Sequence, residues 1–127
     1  MGDTVYFSAK NQVSGTELWA HDTSNHSTWQ VAEINNQQTG GSGIGSNPGE
    51  RMAVSVGDTV YFSANDGTGK ELWAHDTSNR STWKVVDIHY GLSGAAPGYW
   101  MEILAGDTLL FSADDGNTGH ELSLIHI

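Results

Sequence analysis

The phrase ELWAHDTSN occurs at residues 17–25 and again, letter for letter, at 71–79, and it gathers side chains able to do chemistry. In an extended strand successive side chains alternate, so Glu17, Trp19 and His21 share one face, as do Glu71, Trp73 and His75. An indole beside a carboxylate and an imidazole can stack on a sugar ring and hydrogen-bond its hydroxyls. Trp19, His21, Trp73 and His75 are therefore candidates for a carbohydrate-binding face. The competing role is packing, because tryptophan buries a large area at small entropic cost and a packing position recurs wherever a structural unit recurs. Repetition favours packing, and Trp19 and Trp73 are expected to be buried in equivalent places.

Other residues offer other chemistry. The turns ANDGTGKE (64–71) and ADDGNTGHE (113–121) place Asp66, Asp114 and Asp115 near a glutamate, an oxygen-rich arrangement of the kind calcium prefers. Their spacing departs from the alternating Asp-x-Asp-x-Asp-Gly of a calcium loop, and Asp, Asn and Gly are the ordinary residues of tight turns. Six histidines form no paired zinc motif, and no cysteine is present. Neither a metal nor another cofactor is expected. A Gly-x-Ser-x-Gly elbow and a phosphate loop are absent, so the expectation is a protein that is not an enzyme. Asn25-His26-Ser27 and Asn79-Arg80-Ser81 are glycan-acceptor patterns at equivalent turn tips, which makes Asn25 and Asn79 candidate attachment sites.

Charge narrows the partners. Fifteen acidic residues stand against five basic ones, a formal net charge of −10 in 127 residues. Such a surface repels phosphate backbones and anionic lipid, which argues against nucleic acid. No run of 18 apolar residues occurs, so no membrane span is expected.

The elements that must position these residues are repeated. GDTVYFSA stands at 2–9 and 57–64, GDTLLFSA at 106–113, and STWQVAEI (27–34) matches STWKVVDI (81–88). A self-similar period of roughly 50 residues marks a repeat architecture. Each unit reads as four short strands. RMAVSV (51–56) and WMEILA (100–105) are first strands, apolar enough to be buried. Gly57-Asp58 and Gly106-Asp107 then suit two-residue hairpin turns, and TVYFSA, ELWAHD and TWKVVDI follow as the second to fourth strands. Val60 and Phe62 should face opposite to Thr59, Tyr61 and Ser63, and Glu71, Trp73 and His75 opposite to Leu72, Ala74 and Asp76. Residues 1–56 hold the first unit and the first strand of the second, 57–105 the second unit and the next first strand, and 106–127 a partial third. Between units, TGGSGIGSNPGE (39–50) is longer than HYGLSGAAPGY (89–99), which suggests a variable rim loop.

This order of blocks resembles the ELWxxDGT repeat of large secreted bacterial proteins and, more loosely, kelch-type β-propeller blades. The resemblance implies an all-β fold of β-propeller-type, four-stranded antiparallel blades, about two and a half in this chain, at an extracellular or cell-surface location. It departs from the pattern at Asp22-Thr23 and Asp76-Thr77, where the family has Asp-Gly, and at Ser123, where it has tryptophan. A blade cannot bury both faces alone. The sequence therefore implies continuation in a longer repeat chain or self-association, with the end strands TVYFSA (4–9) and ELSLIHI (121–127) paired by another chain. The expected role is a structural or adhesive module of a larger assembly; the alternative is a carbohydrate-binding propeller.

Overall fold

The computed structural model describes residues 3–35, 38–39, 42–43, 45–49, 53–67, 69–86, 88, 94–98, 102–117 and 119–126. They are all-β: twelve strands in three antiparallel sheets and one two-stranded ribbon, with no helix among them. The first sheet is β1 (Thr4–Asn11), β2 (Gly15–Asp22) and β3 (Ser27–Ala32). The ribbon is β4 (Gln38–Thr39) and β5 (Ser42–Gly43). The middle sheet is β6 (Ala53–Val56), β7 (Thr59–Asn65), β8 (Lys70–Asp76) and β9 (Ser81–Val86). The third is β10 (Glu102–Ala105), β11 (Thr108–Asp114) and β12 (His120–His126). Within each sheet the strand order follows the chain, as the repeat requires.

Turn chemistry sets the register. Gly57 and Gly106 have φ of +57° and +58°, which glycine adopts without a Cβ penalty. The closing pairs are Val56 with Thr59 and Ala105 with Thr108. From there Tyr61 lies opposite Ala74 and Phe62 opposite Trp73, and Tyr6–Ala20 and Phe7–Trp19 repeat the register one unit earlier. A bulge between Leu72 and Trp73, matched between Leu18 and Trp19, shifts the pairing with the fourth strand at the same repeat position.

Alternation gives the middle sheet two apolar faces, and both are covered. Phe62 and Ala64, flanked by Val60 and Trp73, pack with Leu18, Tyr6, Val31 and Ile34 of the first unit. Tyr61, Leu72 and Ala74 pack on the opposite side with Leu109, Phe111 and Ala113 of the third sheet. The described residues thus form an open stack of three sheets, with two cores between them.

The first strands are less buried than their apolar letters suggest. In β6 only Val54 and Val56 reach the core, and β10 is exposed throughout. Burial of a strand needs a neighbour on each side, and β10 has the middle sheet on one side only. Trp83 shows the same effect at the other margin. Its counterpart Trp29 has the Arg80 guanidinium 5.2 Å from its ring centroid, whereas Trp83 remains 41% exposed. The connection between the first two units is not simply a rim loop either, because Gly45, Ser46 and Pro48 are buried. Residues 40–41 of this connection and 89–93 of the next lie outside the described residues.

Candidate functional site

The Glu-Leu-Trp strand is the point at which each unit grips the chain that follows it. Glu17 is fully buried although it is a carboxylate. Its Oε2 accepts hydrogen bonds from the Ile34 amide at 3.1 Å and the Ser46 hydroxyl, and its Oε1 accepts one from the Asn35 amide at 3.0 Å. Asn35 is itself buried and donates through Nδ2 to the Gly45 carbonyl at 2.9 Å. The second unit repeats the device, with Glu71 buried and accepting from the Ile88 amide at 3.0 Å. A buried carboxylate is tolerable when its oxygens are saturated by donors, and two of the three donors to Glu17 are backbone amides of the chain that follows.

Downstream of each glutamate the connection runs between consecutive sheets. The amides of Ser46 and Asn47 donate to the Thr16 carbonyl, and Gly49 donates to Ser63 while Asn65 donates back to Ser46. One unit later Ala95 and Ala96 donate to Lys70, Gly98 to Ser112, and Asp114 to Ala95. Residues 45–49 and 94–98 are therefore equivalent clamps, each joining the third strand of one unit to the second strand of the next. Their common signal, Gly-x-x-Pro-Gly, stands in the sequence at both places.

Trp19 and Trp73 are equivalent but only half-buried, not core residues. The Trp73 ring flanks the Phe62 cluster, and the Lys84 ammonium lies 5.9 Å from its centroid while bridging to Asp66 at 3.0 Å. The Nε1 atoms of both indoles are closed to solvent. Neither N–H can donate to an incoming sugar as the side chains stand. His21 and His75 each place Nδ1 against a threonine hydroxyl of the next strand, Thr28 at 2.7 Å and Thr82 at 2.8 Å. His75 is almost fully buried, its ring 5.5 Å from that of Tyr6 across the joint, whereas His21 is half-buried on the open face of the first sheet. Of the four residues only His75 is covered; Trp19, His21 and Trp73 are half-buried.

The turn carboxylates are engaged locally. Asp114 and Asp115 accept from the amides of Gly116 and Asn117, and Asn65 accepts from Gly67 and Gly69. No group of three or more His, Asp or Glu able to hold a metal is found among the described residues. Asn25 and Asn79 sit exposed at equivalent tips, each carboxamide oxygen accepting from the amide and hydroxyl of Ser27 or Ser81. Among the described residues no helix is long and apolar enough to cross a membrane.

Burial holds the His75 imidazole below its usual protonation range; the neighbouring Asp76 carboxylate partly offsets this and Arg80 reinforces it. The unfolded chain then binds a proton that the native state resists. Stability contributed by neutral His75 is present above about pH 6.5 and is lost as pH falls through the lower native value. The melting temperature is expected to drop between pH 7.5 and 5, and His75→Gln should flatten that slope. An unchanged slope in the variant would remove His75 from the joint's energetics.

Compared with protein-family models, curated proteins and solved structures, the chain matches none.

Proposed function

We propose that this chain is a β-propeller-type repeat segment, akin to the ELWxxDGT repeat, serving as a non-enzymatic structural or adhesive building block of an extracellular surface or filamentous assembly. The observation that carries this reading is the use of the repeated phrase. Its glutamate holds the connection, its leucine and alanine fill a core, its histidine packs under the preceding sheet and its indole N–H is turned inward. In the second copy of the phrase the glutamate holds the chain that follows, and the tryptophan and histidine lie at the joint with the first sheet.

A carbohydrate-binding role keeps one specific support, the half-buried rings of Trp19 and His21 on the open face of the first sheet. A glycan array separates the two readings. The building-block reading expects no saturable binding. Binding that is abolished by Trp19→Ala in a folded protein, and retained in Trp73→Ala, would establish the lectin instead. Half-buried Trp73 should cost roughly 2 kcal/mol on truncation, the scale of burying one large apolar side chain, so that variant stays folded for the comparison.

A further inference from the structure

The two coverings of the middle sheet are different, and each outer sheet leaves one of them unmatched. The first sheet covers the middle one with its Tyr6 and Leu18 side, and the middle sheet covers the third with its Tyr61 and Leu72 side. The remaining side of the first sheet carries Val5, Phe7 and Trp19, counterparts of Val60, Phe62 and Trp73. The remaining side of the third sheet carries Ile103, Leu110, Leu122 and Leu124, counterparts of Val54, Tyr61, Leu72 and Ala74. The counterparts are sealed: Phe62 is 1% and Leu72 0% exposed. At the ends Val5 is 54%, Phe7 36%, Leu122 62% and Leu124 53% exposed. Large apolar groups gathered on one exposed face mark an interaction surface.

We infer that the open side of the first sheet is a docking site for the open side of the third sheet of a second copy of this chain, so that copies join head to tail. The occupant follows from the chain itself, which makes this type of joint twice internally; the two open sides are its two halves. The inference rests on the building-block reading and names its partner. A heterologous contact of this kind closes into a ring or continues as a filament, according to its rotation. A joint between copies is intermolecular, so its population depends on concentration. It would also cover His21 as Tyr6 covers His75, with Leu110 in the place of the tyrosine.

The test uses the full chain and two variants altered only at exposed positions, Val5→Glu/Phe7→Glu and Leu122→Glu/Leu124→Glu, with circular dichroism checking that each remains folded. Sedimentation velocity over a concentration series should show wild type growing beyond the dimer. Each variant alone should lose every species above the monomer. Mixed in equal amounts, the two should form a dimer and stop, because one competent joint remains between them. A wild type that stays monomeric, a single variant that still dimerises, or a mixture that stays monomeric would overturn the inference. A monomer that also ignores glycans leaves the building-block reading intact with its joints confined to one chain. Glycan binding through Trp19 overturns that reading whatever the oligomeric state.

Discussion

Glu17→Ala is expected to lower unfolding free energy by on the order of 3 kcal/mol, a large effect for a residue in the most hydrophilic class. Alanine leaves the amides of Ile34 and Asn35 and the hydroxyl of Ser46 facing the space where the carboxylate stood. Each buried donor left without a partner costs about 1–3 kcal/mol, and relief of the buried charge returns part of that sum. Glu17→Gln should recover only part of the loss, since either orientation of the amide points an NH2 group at a donor. The pH dependence has a definite sign. Burial raises Glu17 above the ordinary carboxylate range, Ser46, Asn35 and Ile34 pull it partly back, and Glu33 pushes it further up. A raised native value means that the stability linked to its protonation is complete below about pH 4.5 and is lost as pH climbs through the native value. Glu17 and His75 thus act in opposite directions, in different windows. Urea midpoints for wild type and Glu17→Gln from pH 4 to 7 should converge as pH rises; parallel curves would show that Glu17 does not titrate there.

The strands, their hairpins and the sidedness of each strand were legible because they depend on local, repeated signals. A Gly-Asp pair between β-branched runs fixes a turn, and the period of two then assigns every side chain to a face. Val60 and Phe62 separate from Tyr61 in the structure for that reason alone. The function of the glutamate was not legible, because its partners stand 17, 18 and 29 residues further on and two of them are backbone amides without a side-chain signature. Beside a tryptophan and a histidine such a carboxylate resembles part of a binding site. Its burial becomes intelligible once the returning chain is seen to need acceptors. The clamps were within reach: Gly45-x-x-Pro48-Gly49 and Gly94-x-x-Pro97-Gly98 repeat at the same place in connections of unequal length. Exposure of β10 and Trp83 could not be read at all, since it is set by the number of sheets in the stack and not by the composition of any strand.

Gly94→Ala is expected to be one of the most damaging methyl additions among the described glycines, on the order of 4 kcal/mol. A Cβ at Gly94 would lie 2.1 Å from the Lys70 amide nitrogen and 2.6 Å from the Gly69 carbonyl carbon, both backbone atoms that cannot rotate away. The residue also has φ of +73°, in the left-handed region where an L side chain costs about 1–2 kcal/mol. The clamp must therefore lift from β8. Lifting it releases the bonds from Ala95 and Ala96 to Lys70 and loosens those between Gly98 and Ser112 and between Asp114 and Ala95. About 1 kcal/mol net for each of the two released hydrogen bonds, a fraction of that for the two loosened ones and about 1–2 kcal/mol for the left-handed residue add up to the estimate, and the loss falls on the joint between the middle and third sheets. Gly45→Ala repeats the collision one unit earlier, 2.2 Å from the Thr16 amide nitrogen. Gly106→Ala is the control: its φ of +58° carries the same left-handed cost, but the added methyl meets nothing within 4 Å. Chemical denaturation of the three variants separates collision from conformational strain. Gly94→Ala and Gly45→Ala should both fall well below Gly106→Ala, and equal stability across all three would mean that the clamps do not hold the sheets together.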